Sequence, residues 1–139
     1  MNARASARAL GVQLYTLRHA LAIDVPAVLA EVARLGYREV EPAAQLPTSP
    51  QGLARYLGDC GLTAPAAHID YNRLPQELGA LVDQAGILGH RYLVVPWIDE
   101  TLRQSADDWR RIADRLNVAG ELLRKLGIGL AYHHIISNG

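Results

Sequence analysis

The fold class follows from one stretch of the chain, Leu88-Gly89-His90-Arg91-Tyr92-Leu93-Val94-Val95-Pro96-Trp97. Its first two residues end an amphipathic segment, and the run from Tyr92 to Val95 is apolar without alternation. A run of this kind predicts a short strand that is covered on both faces, as in a parallel sheet. Glycine suits the residue after a helix because that residue often adopts a positive φ. The stretch therefore predicts a helix end, a tight junction and a buried parallel strand.

The same junction occurs at three other places, Leu35-Gly36, Cys60-Gly61 and Leu126-Gly127. Each follows an amphipathic segment and precedes a β-type run. The spacing is too uneven for a solenoid, but each interval has room for one helix, its loops and one strand. The chain therefore alternates β and α, and five strands are predicted, at residues 11–16, 38–42, 63–69, 91–97 and 128–133.

Four helices are predicted between these strands. The first lies behind Asp24, a good N-cap, with Pro26 in the permissive first turn. The second and third cover about residues 50–59 and 75–88. The last begins at a capping box formed by Ser105 and Asp108, and its apolar residues follow a spacing of about 3.6 residues.

Parallel strands that are joined by helices wind right-handed, which leaves two arrangements open. One is an open doubly wound sheet, and the other is part of a (β/α)8 barrel. The residues after the first strand, Gln13-Leu14-Tyr15-Thr16-Leu17, lack the glycine fingerprint of dinucleotide-binding folds. Nucleotide binding is therefore not expected.

Length and composition set the remaining bounds. The chain has 139 residues, with 14 basic and 14 acidic side chains. We expect one domain over residues 1–139, and a chain without net charge is not expected to bind nucleic acid. The single cysteine, Cys60, excludes an internal disulfide, and charged residues interrupt every apolar run. No membrane association and no cleavable signal peptide are expected, and a cytoplasmic location is the default.

In both arrangements, function concentrates at the carboxyl ends of the strands. Polar and aromatic residues are frequent there, and they are Gln13, Tyr15, Thr16, Glu39, Glu41, His68, Asp70, Trp97, Asp99, His133 and His134. Carboxylates and imidazoles suit proton transfer or metal binding, and aromatic rings stack on sugars. This set predicts a carbohydrate-type site.

Each of these residues also has a purely structural interpretation. Glu41 is a solvated loop carboxylate in that reading, and His68 is a hydrogen-bonded core histidine. Tyr15 and Trp97 then only fill the mouth of the fold. Gln13 and Tyr15 share one face of the first strand, so Tyr15 could instead reach a hydroxylated substrate. The neighbours His133 and His134 point to opposite faces of a strand, so at most one of them binds a given ion. His19 and His90 are expected at the surface.

Five segments, in order, resemble the first half of a sugar phosphate isomerase/epimerase of the xylose isomerase-like (β/α)8 barrel superfamily. The resemblance spans about residues 10–133. The segments are Gly11-Val12-Gln13-Leu14-Tyr15-Thr16-Leu17-Arg18, Leu35-Gly36-Tyr37-Arg38-Glu39-Val40-Glu41, Ala64-Pro65-Ala66-Ala67-His68, the stretch from Leu88 to Trp97 quoted above, and Gly127-Ile128-Gly129-Leu130-Ala131-Tyr132-His133.

This resemblance implies an α/β fold, a partial (β/α)8 TIM barrel of about four βα units plus a fifth parallel strand. It also implies metal-assisted isomerisation or epimerisation of a sugar or sugar phosphate, with a divalent cation such as Mn, Mg, Co or Zn. Glu41 and His68 match catalytic positions, and His133 matches a metal ligand. Gln13, Tyr15 and Trp97 are the expected substrate-binding residues.

A full barrel needs roughly 200–250 residues or more, so this chain is expected to be a truncated half that cannot close on its own. Its open strand edges then predict a homo-oligomer. An isomerase or epimerase is the favoured function, although a truncated enzyme is not certain to turn over substrate. The alternative is a non-catalytic half-barrel that binds carbohydrate or associates with itself.

Overall fold

The computed structural model describes residues 8–134, which form alternating strands and helices. The strands are β1 (Gly11–Gln13), β2 (Glu39–Glu41), β3 (Ala66–His68), β4 (Tyr92–Val95) and β5 (Gly129–Tyr132). The helices are α1 (Arg18–Leu21), α2 (Val25–Arg34), α3 (Pro50–Asp59), α4 (Leu78–Leu88) and α5 (Ala106–Lys125). All five predicted strands and all four predicted helices are confirmed, and the short α1 was not predicted.

The strands lie side by side in chain order, and every pair is parallel. Gln13 pairs with Glu41 at the end of β1 and β2, and His68 pairs with Val94 in β3 and β4. A parallel bridge between Glu39 and Thr63 joins the two groups of strands. The result is an open, curved half of a (β/α)8 barrel, as the sequence predicts. The doubly wound alternative is not supported.

The helices cover the sheet with two groups of leucine-rich contacts. Leu29 of α2 and Leu53 of α3 are fully buried against β1 and β2. Leu81 of α4 and Leu123 of α5 are likewise buried against β3, β4 and β5. This packing holds the strand ends in fixed positions, which is the condition for a defined site.

Local sequence signals define the helix ends. The Asp24 side chain accepts from the amide of Ala27, and the Ser105–Asp108 capping box is formed in both directions. Gly36, Gly61, Gly89 and Gly127 all have positive φ, as the junction pattern predicts. None of the helices described between residues 8 and 134 is long and apolar enough to cross a membrane.

Three predictions need correction. The first strand ends at Gln13 and not at Thr16, because a 3-10 helix begins at Leu14. The helix predicted from residue 75 begins at Leu78. His90, expected at the surface, is only 5% exposed, because the turn at Gly89 carries it inward to the carbonyl of Ala64.

Candidate functional site

Three side chains meet where the first three strands end. Gln13, Glu41 and His68 are the last residues of β1, β2 and β3. Gln13 Nε2 donates to Glu41 Oε1 at 2.7 Å, and His68 Nε2 lies 2.9 Å from the same oxygen. Gln13 Nε2 is also 3.2 Å from each ring nitrogen of His68. We call these three residues the rim triad.

The hydrogen bonds define the state of the His68 ring. A carboxylate oxygen has no proton to donate, so its 2.9 Å contact with His68 Nε2 places the proton of the neutral ring on that nitrogen. In the neutral ring, Nδ1 then carries the lone pair and accepts the second N–H of Gln13. The amide of Gln13 thus bridges the carboxylate and the imidazole. Both contacts with Glu41 are at Oε1, and Oε2 has no hydrogen-bond partner among residues 8–134.

Burial maintains this neutral ring. The pKa of His68 is lowered from 6.5, chiefly because its partial burial disfavours the charged form. The Glu41 carboxylate acts in the opposite direction, and the nearby His133 lowers the pKa further. His68 is therefore a neutral donor to Glu41 near pH 7 and not half of a charged pair.

Tyr15 is positioned by the backbone turn that follows β1. Its amide donates to the Gln13 side-chain oxygen at 2.6 Å, which caps the 3-10 helix. Tyr15 therefore does not continue the face of the strand, contrary to the expected alternation. Its ring is 56% exposed and stands at the wall of a cavity.

This cavity has a volume of about 570 Å³ and lies over the carboxyl ends of the strands. Its walls come from the segments that follow β1 and β2, and His68 and Pro96 complete it. We call it the rim cavity. The residues lining it are Leu14, Tyr15, Arg18, Leu21, Ala22, Ala43, Ala44, Gln45, Leu46, Pro47, His68 and Pro96. A second cavity of about 610 Å³, between α5 and β5, is slightly larger. None of the candidate residues for chemistry lines it, although its lining ends at Tyr132, the residue before His133.

The other two predicted site residues lie apart from the rim triad. The His133 ring centroid is 6.3 Å from that of His68, while His134 turns to Tyr132, as expected for neighbours on opposite faces. Trp97 follows β4 and is 52% exposed, and, like Gln13 and Glu41, it does not line the rim cavity. Asp70 and Asp99, also polar residues near strand ends, cap the turns at Asn72 and Thr101.

The side chains present do not fit a divalent cation on their own. In residues 8–134 no group of three His, Cys, Asp or Glu side chains is arranged to hold a metal ion. Glu41 and His68 contact each other, and the His133 ring lies 6.3 Å from that of His68. The three side chains are therefore not arranged to bind one ion. A cation at this rim therefore needs additional ligands that these residues do not supply.

Arg18 is the residue that sequence reasoning missed. Its guanidinium lies 4.2 Å from the centroid of the Tyr15 ring and lines the rim cavity. The three-residue spacing between Tyr15 and Arg18 was the available signal, because residues three apart are neighbours in a helical turn. It went unused because residues 11–16 were interpreted as a strand.

Comparison with known proteins places this fold. No family model and no curated protein sequence matches the chain. A solved sugar phosphate isomerase/epimerase from Parabacteroides distasonis ATCC 8503 is similar, with a TM-score of 0.74 and 22% identity over 96% of this chain and 53% of its own. An AP endonuclease of family 2 from Brucella melitensis gives a TM-score of 0.69 and 19% identity over 89% of this chain and 54% of its own.

A third similar structure is the IolI protein with a bound zinc atom, with a TM-score of 0.64 and 17% identity over 90% of this chain and 51% of its own. The chain thus has the fold of a xylose isomerase-like barrel and spans about half the length of these proteins. Because these proteins carry different activities on one fold, the similarity establishes architecture and not the reaction.

Proposed function

We propose that the chain carries part of a sugar isomerase or epimerase site in which Glu41 moves a proton at the carbon next to a carbonyl group. The observation that carries this proposal is the rim triad. Gln13 donates to Glu41 Oε1 and His68 Nε2 lies 2.9 Å from the same oxygen, while Oε2 has no partner within residues 8–134. A carboxylate that is oriented through one oxygen and open at the other is suited to act as a general base.

The proposed step needs no co-reactant except water. Glu41 Oε2 takes the proton from the carbon that carries a hydroxyl, and the electron pair moves to the carbonyl oxygen to give an enediol-like intermediate. In an isomerisation the hydroxyl proton moves to the former carbonyl oxygen, the former hydroxyl oxygen becomes the carbonyl, and Glu41 returns its proton to the neighbouring carbon. In an epimerisation a water molecule delivers a proton to the opposite face of the same carbon, and Glu41 releases its own proton to solvent. Gln13 and His68 are positioning residues, since both contact the base.

Solvent deuterium exchange tests this step directly. The full chain is incubated in D2O with a ketose and, separately, with its phosphate, and loss of the C–H proton signal is followed by NMR. We expect exchange with the native chain and a decrease of roughly 100-fold or more in Glu41→Gln, the range for losing a general base. Glu39→Gln is the matched control, because Glu39 begins the same strand and lies away from the carboxyl ends.

The competing function is a non-catalytic carbohydrate-binding module. It predicts sugar binding without exchange, and equal behaviour of the Glu41 and Glu39 variants. Exchange that survives in Glu41→Gln, or that is absent from a native chain that binds the sugar, would therefore overturn the catalytic proposal.

The proposed assembly is a dimer formed by a second copy of the chain. Within residues 8–134, β1 pairs only with β2, and β5 only with β4, so each has a free edge. The cavity between α5 and β5 adjoins the second of these edges and includes the partly buried Leu116, Leu130 and Tyr132. A two-fold axis along the barrel brings β1 of one copy beside β5 of the other in the parallel sense, which satisfies both edges.

Sedimentation velocity at micromolar concentration tests the assembly. We expect a dimer, and we expect Asn117→Arg to weaken it, since Asn117 lines the cavity beside β5. Leu122→Arg is the control, because Leu122 is exposed on the same helix but outside that cavity. A well-folded native monomer would contradict the assembly.

A further inference from the structure

The rim cavity combines apolar walls with a single permanent charge. Leucine, alanine and proline residues make up most of the lining, and no aspartate or glutamate among residues 8–134 lines the cavity. Within the same residues, Arg18 is the only lining side chain that is charged at all physiological pH values. A ligand with many hydroxyl groups would leave some of them unpaired against such walls, which is costly.

Arg18 is held in position before any ligand arrives. Its guanidinium stacks over the Tyr15 ring at 4.2 Å, and Nη1 donates to the Tyr15 carbonyl at 2.9 Å. No carboxylate forms an ion pair with it in the part of the chain that the structure describes. A guanidinium has five N–H donors in a planar fork, so most of its donors remain available to an anion.

We infer that the rim cavity binds the acidic, hydroxyl-poor end of the substrate and that Arg18 binds its acid group, while the carbons that carry hydroxyl and carbonyl groups lie beyond the cavity at Glu41. The acid group lies at Arg18, the hydroxyl-poor part contacts the leucine and proline walls, and its far end reaches His68. The inference rests on the proposed function only in placing the reacting carbon near Glu41. A volume of about 570 Å³ is ample for this end of a small substrate.

Matched aromatic probes test the acid group. Benzoate, phenyl phosphate and the neutral benzamide share one ring and differ in the group that meets Arg18. Each is titrated into the full chain and followed by chemical-shift changes in NMR spectra. We expect at least one of the two anions to bind roughly 10-fold or more tightly than benzamide, as for a hydrogen bond to a charged group.

Two arginine variants locate the binding. Arg18→Met is expected to remove the preference for the anion, and Arg18→Lys to restore part of it. Arg55→Met is the matched control, since Arg55 is also exposed and stacks on its neighbour Tyr56 at 5.2 Å, outside the rim cavity. Tighter benzoate binding identifies a carboxylate as the natural acid group, and tighter phenyl phosphate binding identifies a phosphate.

Several outcomes would overturn the inference. Equal binding of benzamide and both anions is one, and an anion preference that survives in Arg18→Met or disappears equally in Arg55→Met is another. Glu41→Gln is expected to retain anion binding while losing deuterium exchange. If the native chain shows deuterium exchange but no anion preference, only this inference is refuted. If it shows the anion preference but no exchange, only the proposed function is refuted.

Discussion

Acidification should destabilise this protein through one buried and one partly buried histidine, His90 and His68, before its carboxylates titrate. His90 is 5% exposed, and its Nδ1 lies 2.6 Å from the carbonyl of Ala64, while Nε2 has no hydrogen-bond partner among residues 8–134. Burial lowers the pKa of His90 from 6.5, against the opposing effect of the Ala64 carbonyl. The pKa of His68 is lowered as well, first by burial.

The sign and size follow from proton linkage. Below pH 6.5 the unfolded chain protonates both histidines, while the folded chain holds them neutral until the lower folded pKa values are reached. The unfolded state then binds more protons, so the free energy of unfolding decreases as the pH falls. Each group contributes at most about 1.4 kcal/mol per pH unit, and the two together at most about 2.8 kcal/mol per pH unit.

Urea unfolding between pH 7 and pH 5 measures this slope. His90→Gln should roughly halve the slope, because it leaves only His68 to titrate. His19→Gln is the control, since His19 is an exposed histidine and its replacement should leave the slope unchanged. A flat profile for the native chain, or an unchanged slope in His90→Gln, would refute the assignment of neutral histidines.

Four stability changes follow from local geometry. Gly86→Ala should stabilise the chain by about 0.5–1 kcal/mol, because Gly86 is inside α4 with open space around the new methyl group. Gly89→Ala should instead destabilise it by about 1–2 kcal/mol, because φ is +76° there. Urea unfolding of the two glycine variants tests both expectations, and midpoints that shift in the same direction would contradict them. Ser105→Ala should cost about 1 kcal/mol by removing the N-cap of α5, measured by thermal unfolding, and an unchanged melting temperature would count against the capping box. Leu53→Ala should cost about 2–5 kcal/mol in urea unfolding, because Leu53 is fully buried, while a cost below that of an exposed Leu10→Ala control would show that the core is misassigned.

The candidate site shows where sequence reasoning is strong. Parallel strands joined by helices bring their carboxyl ends to one edge, so Gln13, Glu41 and His68 were predictable as neighbours from their places in the pattern. The same reasoning placed Trp97 and His133 at this rim. It gives no distances, and the structure leaves Trp97 outside the rim cavity and the His133 ring 6.3 Å from His68.

Errors arose where a chain segment changes direction. Residues 14–17 lack a glycine or proline, so their apolar and aromatic composition was interpreted as strand, and the 3-10 helix that brings Arg18 to Tyr15 was missed. His90 was expected at the surface, but it is buried. Its burial depends on the carbonyl of Ala64, which is distant in sequence.

The sequence by itself determined the order of strands and helices, the helix caps and the four glycine junctions, because each depends on residues within a few positions of one another. Only the tertiary structure decided how Gln13 shares its amide between Glu41 and His68, which histidines are buried, and where Arg18 stands in the rim cavity. These features join residues from different strands and loops. Their distances arise from helix packing against the sheet, which no local pattern encodes.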